Sequence, residues 1–322
     1  MYNLGYACVN MSLSYPQEWG GKPRGTPRIT TNRTMIRKTF NQKGLGYASE
    51  LALQNCLDLE KIIEWNEQNG IKFYRMSSNL FPWASEYRFE QLPDYEEIAD
   101  SLKRSGDLAA KYGQRITTHP GPFNKLTSPR DKVIQNTITD LEIHGKIFDM
   151  MGLPQTPYAK INIHVGAHYN NKPMALDNFC RNFEKLSGSV RSRLTVENDD
   201  KASLYSTKEL YEAVYERIGI PIVFDYHHHK FCDGGQDEEE ALLTACMTWG
   251  DIRPVVHYSQ SRAIEHNDPK IRGNAHSDSY WTPINLYNLD LDVMLECKHK
   301  ELGLFKMRQL MEEQNERLRK AA

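Results

Sequence analysis

The sequence lacks a long apolar run. No stretch reaches the roughly 18 residues that a membrane-spanning helix needs, and the mean hydropathy is −0.65. The first residues also lack the basic segment and apolar stretch of a secretory signal. Low-complexity segments and fixed-period repeats are absent, which argues against a disordered chain and against a solenoid. We therefore expect an intracellular globular protein that does not bind membranes.

The six cysteines lack the spacing of a metal or redox motif. No C-x-x-C pair occurs, which excludes a zinc-finger framework. The cysteines are instead predicted to be reduced thiols in the core of an intracellular protein.

Positive charge is concentrated in residues 15–45, although the formal net charge of the chain is −2. Because the net charge does not favour nucleic acid, any DNA contact needs a local patch. This stretch has one acid, Glu18, against the basic residues Lys22, Arg24, Arg28, Arg33, Arg37, Lys38 and Lys43. It is either a solvated loop or a phosphate-binding loop, and its position in the fold decides between them.

Eight short apolar runs predict the buried strands of a parallel sheet. They are Leu4–Asn10, Lys72–Ser77, Arg115–His119, Lys160–His164, Leu194–Glu197, Ile222–Asp225, Pro254–His257 and Asp292–Glu296. Helical periodicity is found between and after them, in Tyr47–Asn69, Tyr95–Tyr112, Asp131–Met151, Met174–Leu186, Thr207–Arg217, Gln236–Trp249 and Leu302–Arg319. We expect Ser128 to cap the helix near residue 131, and Ser206 or Thr207 to cap the helix near residue 207.

This alternation predicts a TIM (β/α)8 barrel as a single domain over residues 1–322. The basic stretch is then an insertion after the first strand, and residues 302–319 form a C-terminal helix. A doubly wound open sheet fits less well, because no G-x-G-x-x-G follows the first strand.

The last six predicted strands end in histidine or carboxylate residues. These residues are His119, His164, Glu197, Asp225 (followed closely by His228), His257 and Glu296. In a parallel barrel all the carboxyl ends share one face, where the active site is built. Each residue alone is compatible with a structural hydrogen bond. Together they predict a cluster of divalent metal ions, because buried carboxylates and imidazoles need compensating charge and this ligand mixture suits Zn, Mn or Fe.

Nine motifs occur in the order found in the UV damage endonuclease family, which the chain resembles from residue 4 to about residue 300. They are LGYACVNM at 4–11, YRMSSNLFP at 74–82, HPG at 119–121, NIHVG at 162–166, ENDD at 197–200, DYHH at 225–228, HYS at 257–259, AHSD at 275–278 and MLE at 294–296.

The resemblance implies a TIM barrel related to the endonuclease IV type of apurinic-site nuclease. It implies that three divalent metal ions, manganese first with zinc or magnesium as alternatives, hydrolyse the phosphodiester immediately 5′ to a UV photoproduct. The products would carry a 3′-hydroxyl and a 5′-phosphate. The substrate would be double-stranded DNA with the damaged nucleotides flipped out. We expect a monomer without an organic cofactor.

The resemblance also assigns residues to roles. Those matching metal ligands are His119, His164, Glu197, Asp225, His228, His257, His276 and Glu296. Glu197 would bridge two ions, with Asp225, His257 and Glu296 on the second and His228 and His276 on the third. Tyr6 and Asn10 match residues near the lesion. The predicted catalytic group is Glu197, Glu296, Asp225 and His228, joined by Lys298 as a possible phosphate contact or a solvent-facing lysine.

Three positions depart from the family pattern. Pro122-Phe123 replaces glutamine and an aromatic residue in the loop that probes the damage, where Phe123 can still act as a wedge. Glu86 stands where some members have a histidine ligand, and Val255 stands where some have a lysine. The basic stretch follows strand 1 and so projects from the metal face, which favours Lys22, Arg24 and Arg28 as DNA contacts.

Three alternatives remain open from sequence. One is an apurinic-site endonuclease without photoproduct preference. The second is a xylose-isomerase-like sugar isomerase on the same barrel. The third is a DNA-binding barrel with structural metals, which predicts closed coordination.

Overall fold

The computed structural model describes residues 2–14 and 28–321. Within these ranges eight parallel strands form a closed barrel in chain order, and the last strand pairs with the first. The strands are β1 (Tyr2–Ala7), β2 (Phe73–Met76), β3 (Arg115–Thr118), β4 (Ile161–His164), β5 (Leu194–Glu197), β6 (Ile222–Asp225), β7 (Val255–Tyr258) and β8 (Leu291–Leu295). The predicted TIM barrel is confirmed.

The helices surround this barrel or lie in its loops. They are α1 (Met11–Ser14), α2 (Arg37–Gln68), α3 (Tyr95–Tyr112), α4 (Asp131–Met150), α5 (Lys172–Phe183), α6 (Gly188–Arg191), α7 (Thr207–Leu210), α8 (Glu216–Ile218), α9 (Tyr226–His229), α10 (Glu238–Met247), α11 (Arg262–Glu265) and α12 (Lys300–Ala321). The π-helical turn Tyr211–Tyr215 joins α7 to α8. No helix among the described residues has both the length and the apolar character needed to cross a membrane.

The two predicted helix caps have different outcomes. Ser206 caps α7: its hydroxyl accepts from the Glu209 N–H at 3.3 Å, and the Glu209 carboxylate accepts from the Ser206 N–H at 3.0 Å. The cap predicted at Ser128 is wrong, because α4 begins only at Asp131, after an extended Arg130. The Ser128 hydroxyl instead accepts from the Arg130 N–H at 3.1 Å, within the turn that precedes the helix.

The start of α2 corrects the limits of the basic loop. The helix begins at Arg37 rather than at Tyr47, and Gly44 (φ 64°, ψ −157°) breaks it into two helical stretches. Only glycine adopts such a backbone readily, so the helical pattern of the first stretch is hidden by its glycines. The described loop residues thus end before Arg37, whereas Lys22 and Arg24 lie outside the described residues.

All six cysteines lie within the described residues and are free thiols, four of them buried, as predicted.

The amino-terminal end of the barrel holds a buried ion pair. Arg115 Nη1 at the start of β3 lies 2.9 Å from Asp292 Oδ2 in β8. The same guanidinium donates to the carbonyls of Tyr158, Arg253 and Pro157. This pair therefore ties β3, β8 and two connecting segments together at the end opposite the strand-end histidines.

His144 on α4 makes stability depend on pH. The residue is 2% exposed, and burial lowers the pKa of its imidazole against the opposing charge of Asp140. Below the unfolded pKa of 6.5, the unfolded chain binds a proton that the folded chain resists. The free energy of unfolding should therefore fall as pH falls below 6.5, by up to about 1.4 kcal/mol per pH unit from this group.

The variant His144→Gln lacks the imidazole that binds this proton in the unfolded chain. In urea titrations with chelator at several pH values, the stability deficit of the variant relative to the wild type should shrink as pH falls from 7.5 to 5.5. A deficit that stays constant across this range would contradict the assignment.

Candidate metal centre

The barrel register brings the strand-end residues to one mouth. His164 and Glu197 are paired neighbours at the ends of β4 and β5, and Asp225 and His257 are paired neighbours in β6 and β7. His119 directly follows β3, and Glu296 directly follows β8. Six separate strands thus present these side chains at the carboxyl end of the barrel, where the fold builds active sites.

Glu197 lies at the centre of this cluster and is 1% exposed. Its Oε2 is 3.2 Å from His119 Nε2 and 3.9 Å from His164 Nε2. Its Oε1 is 3.1 Å from His257 Nδ1 and 3.4 Å from His228 Nδ1. One carboxylate therefore contacts four imidazoles, two through each oxygen.

The cluster divides into three overlapping groups whose ligand atoms lie within 4.8 Å of one another. These groups are His119, His164 and Glu197; Glu197, Asp225 and His228; and Asp225, His257 and Glu296. Glu197 belongs to the first two groups, and Asp225 belongs to the last two. Such shared carboxylates are suited to bridging adjacent metal ions, so these residues can hold more than one ion.

Three histidines are oriented by backbone carbonyls. Nδ1 of His119, His228 and His276 lies 3.0 Å from the carbonyl oxygens of Pro120, Asn198 and Glu296, respectively. A carbonyl can only accept, so each Nδ1 carries the proton and each Nε2 is left with a free lone pair. This arrangement is typical of metal-ligating histidine, in which the bond on one ring nitrogen fixes the other for coordination.

Asp225 is oriented in a similar way. Its Oδ1 accepts from the backbone N–H groups of His227 and His228, at 2.7 and 2.9 Å. Its Oδ2 is buried and accepts no hydrogen bond from the described residues. Because an unsatisfied buried polar atom costs about 1–3 kcal/mol, this oxygen fits a metal ligand better than it fits a structural carboxylate.

The closely spaced buried carboxylates of the cluster also favour a bound cation. Burial, aided by Glu197 and Glu296, raises the pKa of Asp225 to about 6 against the effect of His228. Burial alone would raise the pKa of Glu197 as well, but the imidazoles of His257 and His164 hold that pKa well below its usual range. Carboxylates this close compete for the same positive charge, and divalent ions satisfy all of them at once.

Sequence reasoning missed three polar side chains inside the barrel. Asn162 Nδ2 donates to Glu197 Oε2 at 2.5 Å, and the Arg75 guanidinium forms an ion pair with Glu296. Lys160 is fully buried, with Nζ 3.2 Å from His257 Nε2, and burial lowers the pKa of its ammonium to about 7. The signal was available in β4, because residues 160, 162 and 164 alternate with apolar residues and so face the same way.

Three predicted site residues lie apart from the three groups. His276 is 3.6 Å from Glu296 through Nδ1 and Oε2, although it belongs to none of the groups. Lys298 is half exposed, with Nζ 3.5 Å from Asp278 Oδ1. Glu86 forms an exposed ion pair with Arg37 at 2.7 Å. The proposed roles of all three remain predictions.

The predicted lesion contacts are partly buried and partly exposed. Tyr6 and Asn10 are fully buried, and Asn10 Nδ2 donates to the Tyr6 hydroxyl at 3.0 Å. Phe123 is 88% exposed. Pro122 lies between two cavities of about 590 and 890 Å³, the first of which is lined by His119, His164 and His228. The exposed Arg28 is the first described residue of the loop that leads to the helix beginning at Arg37. The lesion and phosphate contacts of these residues remain predictions.

Comparison with known proteins gives the family. The profile of the family described as UV-endonuclease UvdE matches residues 2–321. This chain belongs to the UvdE family. Its sequence is 34% identical to the UV-damage endonuclease of Schizosaccharomyces pombe over 97% of the chain and 51% of that protein. It is 33% identical to the UV DNA damage endonuclease of Bacillus cereus strain G9842 over 88% of each.

The fold of this chain is similar to the crystal structure of SacUVDE over nearly the whole length of both chains. It superposes with a TM-score of 0.81 at 31% identity, covering 98% of this chain and 99% of that one. The chain spans about half the length of the two fungal relatives that it matches, from S. pombe and Neurospora crassa. The predicted family and fold are thus both confirmed, and the buried clusters described above can hold metal ions.

Proposed function

We propose that this chain is a metal-dependent DNA repair endonuclease. It incises double-stranded DNA immediately 5′ to UV photoproducts, and possible further substrates are abasic sites. The observation that carries the proposal is the cluster of overlapping groups centred on Glu197, in a chain of the UvdE family. The proposed cofactors are three divalent ions, manganese first.

The strand-end residues would hold the metal ions that the reaction needs. When bound, the metal ions would supply an activated water and neutralise charge on the cut phosphate. The residues that would hold them are His119, His164, Glu197, Asp225, His228, His257, Glu296 and, at the rim, His276. The carbonyl contacts of His119, His228 and His276 would leave Nε2 of each ring available for coordination and would fix the rings before substrate arrives. Asp225 must lose its proton to serve as a ligand, so we expect the metal-free protein to bind metal more weakly as pH drops below about 6.

The rim residues would bind the substrate. Phe123, exposed beside the cluster cavity, is suited to wedging between unstacked bases, which is least costly at a damaged pair. Lys22, Arg24 and Arg28 would contact backbone phosphates, and Lys298 a phosphate near Glu296. Glu86 can act as a ligand only by leaving its ion pair with Arg37.

A cleavage assay tests the proposal. End-labelled duplexes carrying a cyclobutane dimer, a (6-4) photoproduct or an abasic site, and an undamaged duplex, are incubated with Mn²⁺ or with chelator. We expect incision 5′ to the dimer only with metal, and a product that a DNA polymerase can extend from its 3′-hydroxyl. The variant His228→Ala should lose this activity, whereas His299→Ala, an exposed histidine outside the cluster, should keep it.

Other outcomes would replace the proposal. Cleavage confined to the abasic duplex would favour an apurinic-site endonuclease. A protein that binds Mn²⁺ and damaged duplex but cleaves none of the substrates would favour a DNA-binding barrel with structural metals.

A further inference from the structure

Lys125 lies beside the metal cluster in a space that Gly166 provides. An ideal Cβ at position 166 would lie 2.7 Å from Lys125 Cδ and 2.9 Å from Lys125 Nζ. Gly166 follows β4 closely, with φ +95°, a conformation that side chains rarely tolerate. The absent side chain therefore lets the half-buried lysine extend across the backbone just beyond His164.

The same lysine lines the cavity of about 590 Å³ that exposes His119, His164 and His228. In the part of the chain that the structure describes, Lys125 Nζ makes neither a hydrogen bond nor an ion pair. Asp199 also lines this cavity, but its carboxylate lies 3.2 Å from His164 Nδ1 and interacts with that imidazole. Asp199 therefore attracts the ammonium without a direct contact, while its carboxylate is already engaged by His164.

This placement favours an anion between the lysine and the cluster. If divalent ions are bound at His119 and His164, a neighbouring ammonium is repelled unless negative charge lies between them. A phosphate group fits this position, because it bridges cations through several oxygens and lysine binds it as a compact point charge. The cavity is open to solvent at the carboxyl end of the barrel, where a nucleic acid would approach.

We propose that Lys125 binds a non-bridging oxygen of the phosphodiester that enters this cavity. This inference rests on the proposed function, because it assumes that the chain takes a nucleic acid at the strand-end cluster. It adds a substrate-binding residue that neither the strand-end pattern nor the motifs of the sequence identified.

The test measures DNA binding separately from cleavage. Affinity for a duplex with one cyclobutane dimer is determined by fluorescence anisotropy in chelator, over a range of salt concentrations, for the wild type and Lys125→Met. We expect affinity about 10-fold weaker or more, and a salt dependence of log K that is flatter by about 1, as for loss of one phosphate contact. With Mn²⁺ the catalytic efficiency should fall, while the metal content stays that of the wild type.

Lys103→Met is the matched control, since Lys103 is an exposed lysine on α3 paired with Asp107. It should change neither the affinity nor the salt dependence. Gly166→Ala should displace the Lys125 side chain and so weaken DNA binding as Lys125→Met does. The double variant should bind DNA no more weakly than Lys125→Met alone.

Two results would overturn the inference, and they are distinguishable. If wild type cleaves the damaged duplex but Lys125→Met binds it as Lys103→Met does, then Lys125 is not a phosphate contact. If wild type neither binds nor cleaves the duplex, the proposed function itself fails, and this inference fails with it.

Discussion

The variant Glu197→Gln should lose cleavage of damaged duplex by more than about 100-fold, because removal of outer-shell partners of metal ligands already costs 10–100-fold and Glu197 is more central. Its carboxylate contacts four imidazoles and is shared by two of the three ligand groups. Glutamine has nearly the same shape but lacks the charge, and its amide nitrogen replaces one acceptor oxygen. The measurement is catalytic efficiency together with metal content per chain.

Metal-induced stabilisation separates loss of ligation from loss of fold. A ligand that binds only the folded state at 100 times its Kd adds about 2.7 kcal/mol. Addition of Mn²⁺ should therefore raise the melting temperature of the wild type, and should raise that of Glu197→Gln much less. In chelator the variant should remain folded, since Gln keeps the packing of the site.

The control for this variant is Glu60→Gln, a change of the same kind at the outer surface, where Glu60 pairs with Arg104. It should leave cleavage and metal-induced stabilisation unchanged. A Glu197→Gln enzyme that keeps its full metal content and cleaves within 10-fold of the wild type would refute the central role of Glu197.

The strands and their ends were predictable because burial and topology act together. The bounds of β5 and β6 are those predicted, since each apolar run is buried and ends in a carboxylate. β1 ends at Ala7, although an apolar pattern continues to Val9, because Cys8 adopts a left-handed conformation with φ 67° and turns the chain. A backbone turn at a non-glycine residue gives no signal in the sequence.

The site residues away from strand ends were harder to find from pattern alone. His276 lies in the long segment between β7 and β8, and only the AHSD motif identified it. Arg75 lies within β2 and Lys160 immediately precedes β4, where the two cations contact Glu296 and His257 of the cluster. Alternation in the sequence groups such residues on one strand face, and the closed barrel then shows that this face is the interior. Lys125 could not be identified from the sequence, because its position beside the cluster depends on the space left by Gly166, which is distant in the sequence.

The second large effect concerns stability rather than chemistry. Arg115→Met should lower the free energy of unfolding by about 3–5 kcal/mol, because it breaks a buried ion pair and leaves Asp292 with reduced compensation. The pair is almost completely buried, with side chains 2% and 4% exposed. The carbonyls of Tyr158, Arg253 and Pro157 lose their donors as well. Urea titrations in chelator would measure the change.

The exposed Arg104 provides the comparison, since Arg104→Met breaks an ion pair with Glu60 at the surface and should cost no more than about 1 kcal/mol. Asp292→Asn should recover part of the loss in the Arg115→Met background, because it removes the stranded charge. Below its melting temperature, Arg115→Met should keep its metal affinity, since the pair lies at the amino end of the barrel and the cluster at the carboxyl end. If Arg115→Met costs no more stability than Arg104→Met, the buried pair does not hold the barrel end together.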